Sequence, residues 1–189
     1  APGLDPRPVH LHVTHDLGGG SEKWLNDFCG ADTQRVNLVL RAVGEGNASG
    51  GGLALYAQVA DEAPLRAWRF ARPIDAAATA HLEYRAAVAE ICRDFCVDAV
   101  VVSSLIGHSL DILDTGLPTV FLSHDYFPYC PAINLHFDGL CEQCDGARVA
   151  ECFAGNPKFN PFITFLPPQR LAVRERFLEL MRRPKLTLA

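Results

Sequence analysis

Val9-His10-Leu11-His12-Val13-Thr14-His15-Asp16-Leu17-Gly18-Gly19-Gly20-Ser21-Glu22 runs from an extended segment straight into three consecutive glycines and then a helix start. Glycine at that turn permits positive φ and lets a ligand approach the backbone without meeting a Cβ. The N–H groups that open the following helix have no intrahelical partner, so they can face an anion. The stretch reads as a floor for a phosphorylated or polyhydroxylated ligand.

Working outward, strands alternate with helical stretches, the pattern of a parallel sheet with helices on both faces. Strand 1 is expected over Val9–Thr14, a helix over Ser21–Gly30 and strand 2 over Arg35–Ala42. Gly44–Gly52, with Asn47-Ala48-Ser49 among its glycines, reads as a loop. A strand follows at Leu53–Val59 and a short one at Arg66–Phe70. A helix is expected over Ala76–Phe95, with Ala80, Tyr84, Ala87, Val88 and Ile91 as its buried stripe. The unbroken run Asp98-Ala99-Val100-Val101-Val102 is what a central strand buried on both faces needs. A helix over Gly107–Asp114 and a buried strand at Thr119–Leu122 complete the pattern. The fold class expected is α/β: a single Rossmann-like domain with a mostly parallel sheet flanked by helices and a Cys-rich loop insertion at 128–168.

Composition bounds the class. With 189 residues, 49% hydrophobic and 21% charged, the chain can bury one core. No apolar run approaches the roughly 20 residues that cross a bilayer, and no basic-then-apolar leader pattern opens the sequence, so a cytoplasmic location is expected. A net charge of −5 argues against nucleic acid as a partner. The positive charge crowds the end, at Arg170, Arg174, Arg176, Arg182, Arg183 and Lys185. The opening Ala1-Pro2-Gly3 and the closing Lys185-Leu186-Thr187-Leu188-Ala189, which alternates like the start of a strand, read as one domain cut from a longer polypeptide.

Polar groups close three of the strands: Thr14-His15-Asp16, Ser103-Ser104 and Ser123-His124-Asp125. In open α/β sheets ligands bind beyond the carboxyl ends of the strands, where these groups would gather. Taken singly, each could merely cap a turn. Known phosphate motifs fail on the letters. The dinucleotide fingerprint needs glycine where Lys23 stands, there is no Gly-Lys-Ser/Thr, and no Gly-x-Ser-x-Gly elbow occurs.

The opening HLHVTHDLGGGSEKWLNDFC, the strand DAVVVSSL and the stretch PTVFLSHDYFPYCP followed by a cysteine-bearing insertion resemble the amino-terminal domain of a family 4-like glycosyltransferase of the two-Rossmann-domain (GT-B) type. The resemblance spans nearly the whole chain. It implies that residues 1–189 are the acceptor-side domain, with a donor-binding carboxy-terminal domain that has no counterpart here. It also implies a nucleotide-sugar donor, a glycan or lipid-linked acceptor, transfer to an acceptor hydroxyl, a place in polysaccharide biosynthesis, and no organic cofactor. By the same likeness Gly18, Gly19, Gly20 and Ser21 approach the donor diphosphate and His124 lies near the transferred sugar. Asp16 is a candidate for acceptor binding, and Ser104 and Asp125 border the site. The family's paired glutamates belong to the second domain, and Glu83 and Glu90 are no substitute, so the fragment would not transfer sugar alone.

Four of the seven cysteines fall in one segment, Cys130-x10-Cys141-x2-Cys144-x7-Cys152. That spacing in a Gly/Pro/Asp-rich stretch suits a structural zinc ion held by tetrahedral thiolates. Free thiols and disulfides are the other readings, and His136 is a reserve ligand. Cys29, Cys92 and Cys96 read as small core residues on helical faces.

Two rival functions remain. His10, His12, His15, Asp16, His108, His124 and Asp125 can be drawn as a metal-dependent hydrolase site, although interior histidines explain His10 and His12 as well. A non-catalytic, zinc-stapled interaction domain is the other. In it the segment Arg170–Arg183, with Leu171, Val173, Phe177, Leu178, Leu180 and Met181 on one side, would bind a partner or lie peripherally on an anionic membrane at the inner face. The same helix can equally cover the sheet.

Overall fold

A computed structural model describes residues 6–44, 50–75, 78–130, 132, 135–156, 167–183 and 185–189. The expectations that fall on Ala1-Pro2-Gly3, on Asn47-Ala48-Ser49 and on parts of 128–168 lie outside these residues.

The chain forms a seven-stranded sheet of order β4-β3-β2-β1-β5-β6-β7. Its strands are β1 (Val9–His15), β2 (Val36–Val43), β3 (Gly52–Tyr56), β4 (Arg66–Arg69), β5 (Val97–Val102), β6 (Thr119–Phe121) and β7 (Leu186–Leu188). β2, β1, β5, β6 and β7 are mutually parallel, whereas β3 pairs antiparallel with both β2 and β4. The mostly parallel α/β class is therefore observed, with an antiparallel flank that side-chain alternation could not orient.

The helices are α1 (Gly20–Ala31), α2 (Leu82–Asp94), α3 (Gly146–Gly155) and α4 (Pro167–Met181), with a 3₁₀ turn at Leu110–Asp114. On one face of the sheet Leu25 of α1 joins Val39, Ala54 and Tyr56, with Trp24 and Cys29 packed against them. On the other, Leu11, Val13, Leu38, Leu40, Val100 and Val102 meet Tyr84, Val88 and Ile91 of α2 and Val173, Phe177 and Leu180 of α4. Each such side chain contributes about 1.5–3 kcal/mol by leaving water. Alternate residues of β1 and β2 thus serve opposite faces, as the period of a strand requires.

Four local readings change. The long helix begins at Leu82, not Ala76: His81 Nδ1 accepts from Tyr84 N–H at 3.1 Å and caps the helix there, while residues 78–81 are not helical and Ala76 and Ala77 lie outside the described residues. The 107–114 stretch tightens to a 3₁₀ turn capped by Ser109. Cys96 is exposed at φ 51° in the turn leaving α2, so it is not a core residue. Within 128–168, α3 forms where no helix was expected, capped by the Asp145 carboxylate, which accepts from Arg148 N–H at 2.9 Å.

Candidate functional site at the carboxyl edge of the sheet

The parallel register of β1, β5 and β6 sets their carboxyl ends side by side. Ser103 N–H and Ser104 N–H both donate to Val13 C=O, at 2.8 and 3.3 Å, which stitches the end of β5 to β1. Leu122 N–H donates to Val102 C=O at 2.8 Å and does the same for the end of β6.

The glycine turn leaves β1 at that edge. Gly18 and Gly19 adopt φ 70° and 95°, a region that costs other residues strain, and so only glycine enters α1 this way freely. Gly19 is the N-cap residue and supplies no side-chain cap, so the first N–H groups of α1 have no capping partner. A Cβ added at Gly19 or Gly20 would meet no atom within 4 Å. The turn is thus open on its outer side.

His15 organises the turn. Its Nδ1 accepts from Leu17 N–H at 3.2 Å, which puts the proton on Nε2, facing Ser21 Oγ at 3.4 Å. Ser21 is then an acceptor toward His15, with its own O–H available to a ligand. Burial lowers the His15 pKa, and Asp125 is the strongest opposing influence.

His124 is exposed on the loop leaving β6 and lies edge-on to the ring of Trp24, with centroids 5.2 Å apart. Trp24 stands on the first turns of α1 and stacks in turn on Phe28 at 5.2 Å. The start of α1 that follows the glycine turn and the His124 loop therefore lie side by side at this edge, the candidate crevice. Asp125 Oδ1 accepts from Phe127 N–H at 2.7 Å, and Ser123 Oγ donates to Asp125 C=O at 2.9 Å, so both residues shape this loop. Burial raises the Asp125 pKa, opposed by the Phe127 N–H and by His15 and His124.

Of the residues expected here, Gly18, Gly19, Gly20, Ser21, His124 and Asp125 come together. Asp16 is exposed and faces Arg41 Nη1 at 3.8 Å, while Glu22 lies 3.5 Å from Arg41 Nη2. Arg41, lying 4.7 Å over the Tyr56 ring, offsets the two carboxylates that would repel an anion. Ser104 is buried, and its Oγ accepts from Ile106 N–H at 3.1 Å, so it caps a turn and lines no open surface. Thr14 Oγ1 and Ser103 Oγ are buried at the same strand ends without a hydrogen-bond partner.

Trp24 and Arg41 were not singled out from sequence, although Trp24 four residues after Gly20 and Phe28 four after Trp24 trace one line along a helix. A hollow of about 410 Å³ opens beside the carboxyl end of β2, lined by Gly44, Gly51, Arg69 and Phe70 among others. Another, of about 400 Å³, lies at the opposite, amino edge, lined by Arg7, Asp32, Arg35 and Asn37 among others.

Two further histidines, His108 and His12, are interior. His108 Nε2–H donates to Thr14 C=O at 2.8 Å, so its Nδ1 accepts from Tyr84 O–H at 2.9 Å. Burial pushes the His108 pKa down to about 4. His12, also buried, faces Asn37 Oδ1 at 2.9 Å through Nε2, and burial lowers its pKa.

The four clustered cysteines line one small cavity of about 30 Å³, together with His136, Arg148 and Arg174. Cys130 and Cys152 are buried there beside Ala132, with Leu135 and Phe137 packed against them. All seven cysteines are free thiols. Among the described residues no group of three or more His, Cys, Asp or Glu is set to hold a metal ion.

Arg170, expected on a polar face, is buried with its guanidinium 5.2 Å from the Phe127 ring centroid. Burial pushes its pKa down to about 10, countered by Cys130 and Cys144. Val173, Phe177 and Leu180 of α4, the apolar side invoked for a membrane, are packed in the core. Among the described residues no helix is long and apolar enough to cross a membrane.

Compared with family models, with curated proteins and with solved structures, the chain matches none.

Proposed function

We propose that this chain is the acceptor-side half of a GT-B type glycosyltransferase, working with a donor-binding domain to move a sugar from a nucleotide-sugar to a hydroxyl acceptor. The observation that carries the reading is the Trp24–His124 contact at 5.2 Å, which ties the glycine turn to the His124 loop. Had these lain on opposite edges, no shared ligand could touch both.

The chemistry follows from the groups present. An acceptor hydroxyl attacks the anomeric carbon, the bond from that carbon to the diphosphate oxygen breaks, the hydroxyl proton passes to the departing diphosphate, and the nucleoside diphosphate leaves. Negative charge grows on the diphosphate. The uncapped N–H groups at the start of α1 and the Ser21 hydroxyl are fixed donors for it, aligned with the positive end of the helix. His124 donates to a phosphate or sugar oxygen, and Asp125 holds the loop that carries it. The hollow at the end of β2, on the same edge, is where the glycan or lipid-linked acceptor would lie, with Arg69 as its cation.

The hydrolase alternative is weaker, because His12 and His108 are committed inside the protein to Asn37, Tyr84 and Thr14. The test separates the two. Titrating a nucleoside diphosphate into the chain should shift amide resonances of Gly19, Gly20, Ser21 and His124 together, without turnover. Hydrolysis of phosphate or amide substrates by the chain alone with added divalent metal, or no shift at these residues, would reject the transferase reading.

A further inference from the structure

We propose that Cys130, Cys141, Cys144 and Cys152 bind a zinc ion as a four-thiolate site that staples the segment following the His124 loop. This stands apart from the transferase reading and would hold if that reading failed.

Residues up to 22 positions apart are gathered here, since Cys130 and Cys152 are buried in one cluster and all four side chains line the same cavity. A cavity of about 30 Å³ has room for an ion once the thiols turn inward. In the structure the four residues line this void, but no three of them are set to hold an ion. A tetrahedral site needs the sulfurs about 2.3 Å from a common centre, so the side chains must move inward as the ion binds.

The surroundings match the charge that would result. Binding zinc displaces the four thiol protons to solvent and leaves a net negative centre, which must be offset if buried. Arg148 is close enough to Cys141 to bond its sulfur, and Arg170 lies near both Cys130 and Cys144. Arg174 Nη2 donates to the Cys144 carbonyl, and Asn156 Nδ2 donates to Cys152 Sγ at 3.2 Å. Donors aimed at ligand sulfurs and at the ligand backbone are what a metal centre uses to hold its thiolates in place. The apolar contribution is divided: Cys130, Ala132 and Cys152 with Leu135 and Phe137 form a small cluster of their own, while Val149 of α3 is buried in the main core and Cys144 packs against it.

The test is the metal content of the whole chain purified without chelator, read by plasma mass spectrometry. About one equivalent of zinc is expected. Less than about a tenth of an equivalent, iron in place of zinc, or disulfides found by differential alkylation would each overturn the proposal. Cys144→Ser and Cys152→Ser should each lose the metal, while the Cys29→Ala/Cys92→Ala double variant keeps it. Where the serine variants do not fold, cobalt substitution of the unaltered chain decides. Intense thiolate charge-transfer absorption with tetrahedral d–d bands supports the site, and an octahedral spectrum rejects it. Loss of metal from His136→Ala, with retention in Cys141→Ser, would overturn the four-cysteine ligand set.

Discussion

The crevice at the carboxyl edge and the cysteine lobe are both built from polar or reactive residues in loops, yet they owe their shape to different forces. The crevice inherits its geometry from the sheet: the register of β1, β5 and β6 and the bonds from Ser103 and Ser104 to Val13 hold its rim. The lobe has α3, which buries Val149 in the main core, a small apolar cluster at Cys130 and Cys152, and guanidiniums beside four thiols. On the two proposals above, one region is organised before any ligand arrives, and the other is closed by its ion. A preformed anion floor and a metal-closed lobe should therefore respond oppositely to being emptied.

The largest effect is expected in the lobe. Stripping metal with a strong chelator should raise amide hydrogen exchange across α3 by orders of magnitude, because structural zinc carries apparent binding free energies of about 10–16 kcal/mol. Amides of β1 and β5 should keep their protection, and equal loss in both regions would erase the contrast. Next comes the crevice chemistry. In a polypeptide that carries the donor domain, His124→Ala should lower kcat by about 10²-fold or more while the thermal midpoint is retained. Unchanged turnover would remove His124 from catalysis.

A smaller effect concerns the histidine behind the crevice. His108 holds its neutral form down to about pH 4 in the folded chain, whereas its ordinary pKa is 6.5. The unfolded chain therefore takes the proton first, so stability falls as pH drops from 6.5 and the loss is complete near 4. The full contribution is about 3 kcal/mol. His108→Gln, whose amide can still donate to Thr14 and accept from Tyr84, should flatten denaturation curves across that range. An unaltered pH dependence would show that the proton goes elsewhere.

The smallest effect on stability, and the sharpest on the comparison, is expected at Gly20. A Cβ there meets nothing, and alanine favours helix by up to about 1 kcal/mol, so Gly20→Ala should fold as well as the parent or slightly better. Its affinity for a nucleoside diphosphate should nevertheless fall several-fold, measured calorimetrically, because the new methyl stands where the phosphate approaches. Unaltered affinity would move the anion away from this turn.

Much of this framework was legible in the letters. The unbroken valines of β5, the glycine turn after β1 and the Ser-His-Asp loop after β6 each carry a local physical signature, and the sheet brings them to one edge. What escaped depended on partners distant in sequence. The antiparallel pairing of β3 with β2 and β4 leaves no mark on alternation. The alanines before His81 favour helix intrinsically, but the imidazole cap at Tyr84 N–H sets the start. α3 hides among cysteines and glycines, although Asp145 three residues before Arg148 is a capping signal that could have exposed it. Arg170 reads as a surface cation, and only the folded chain sets it beside Phe127 and the thiols.

At the outer margin of the sheet, β4 is short and carries Arg66 and Arg69 at its two ends, with Arg66 Nη1 held 2.5 Å from Glu90 and 2.8 Å from Asp94. A foreign strand seeking the unfilled amides of that margin would have to run beside anchored guanidiniums over only a few residues. Electrostatic guarding of this kind discourages stacking of one molecule onto the next, so the chain can remain dispersed at concentrations where a long, uncharged border would nucleate fibres.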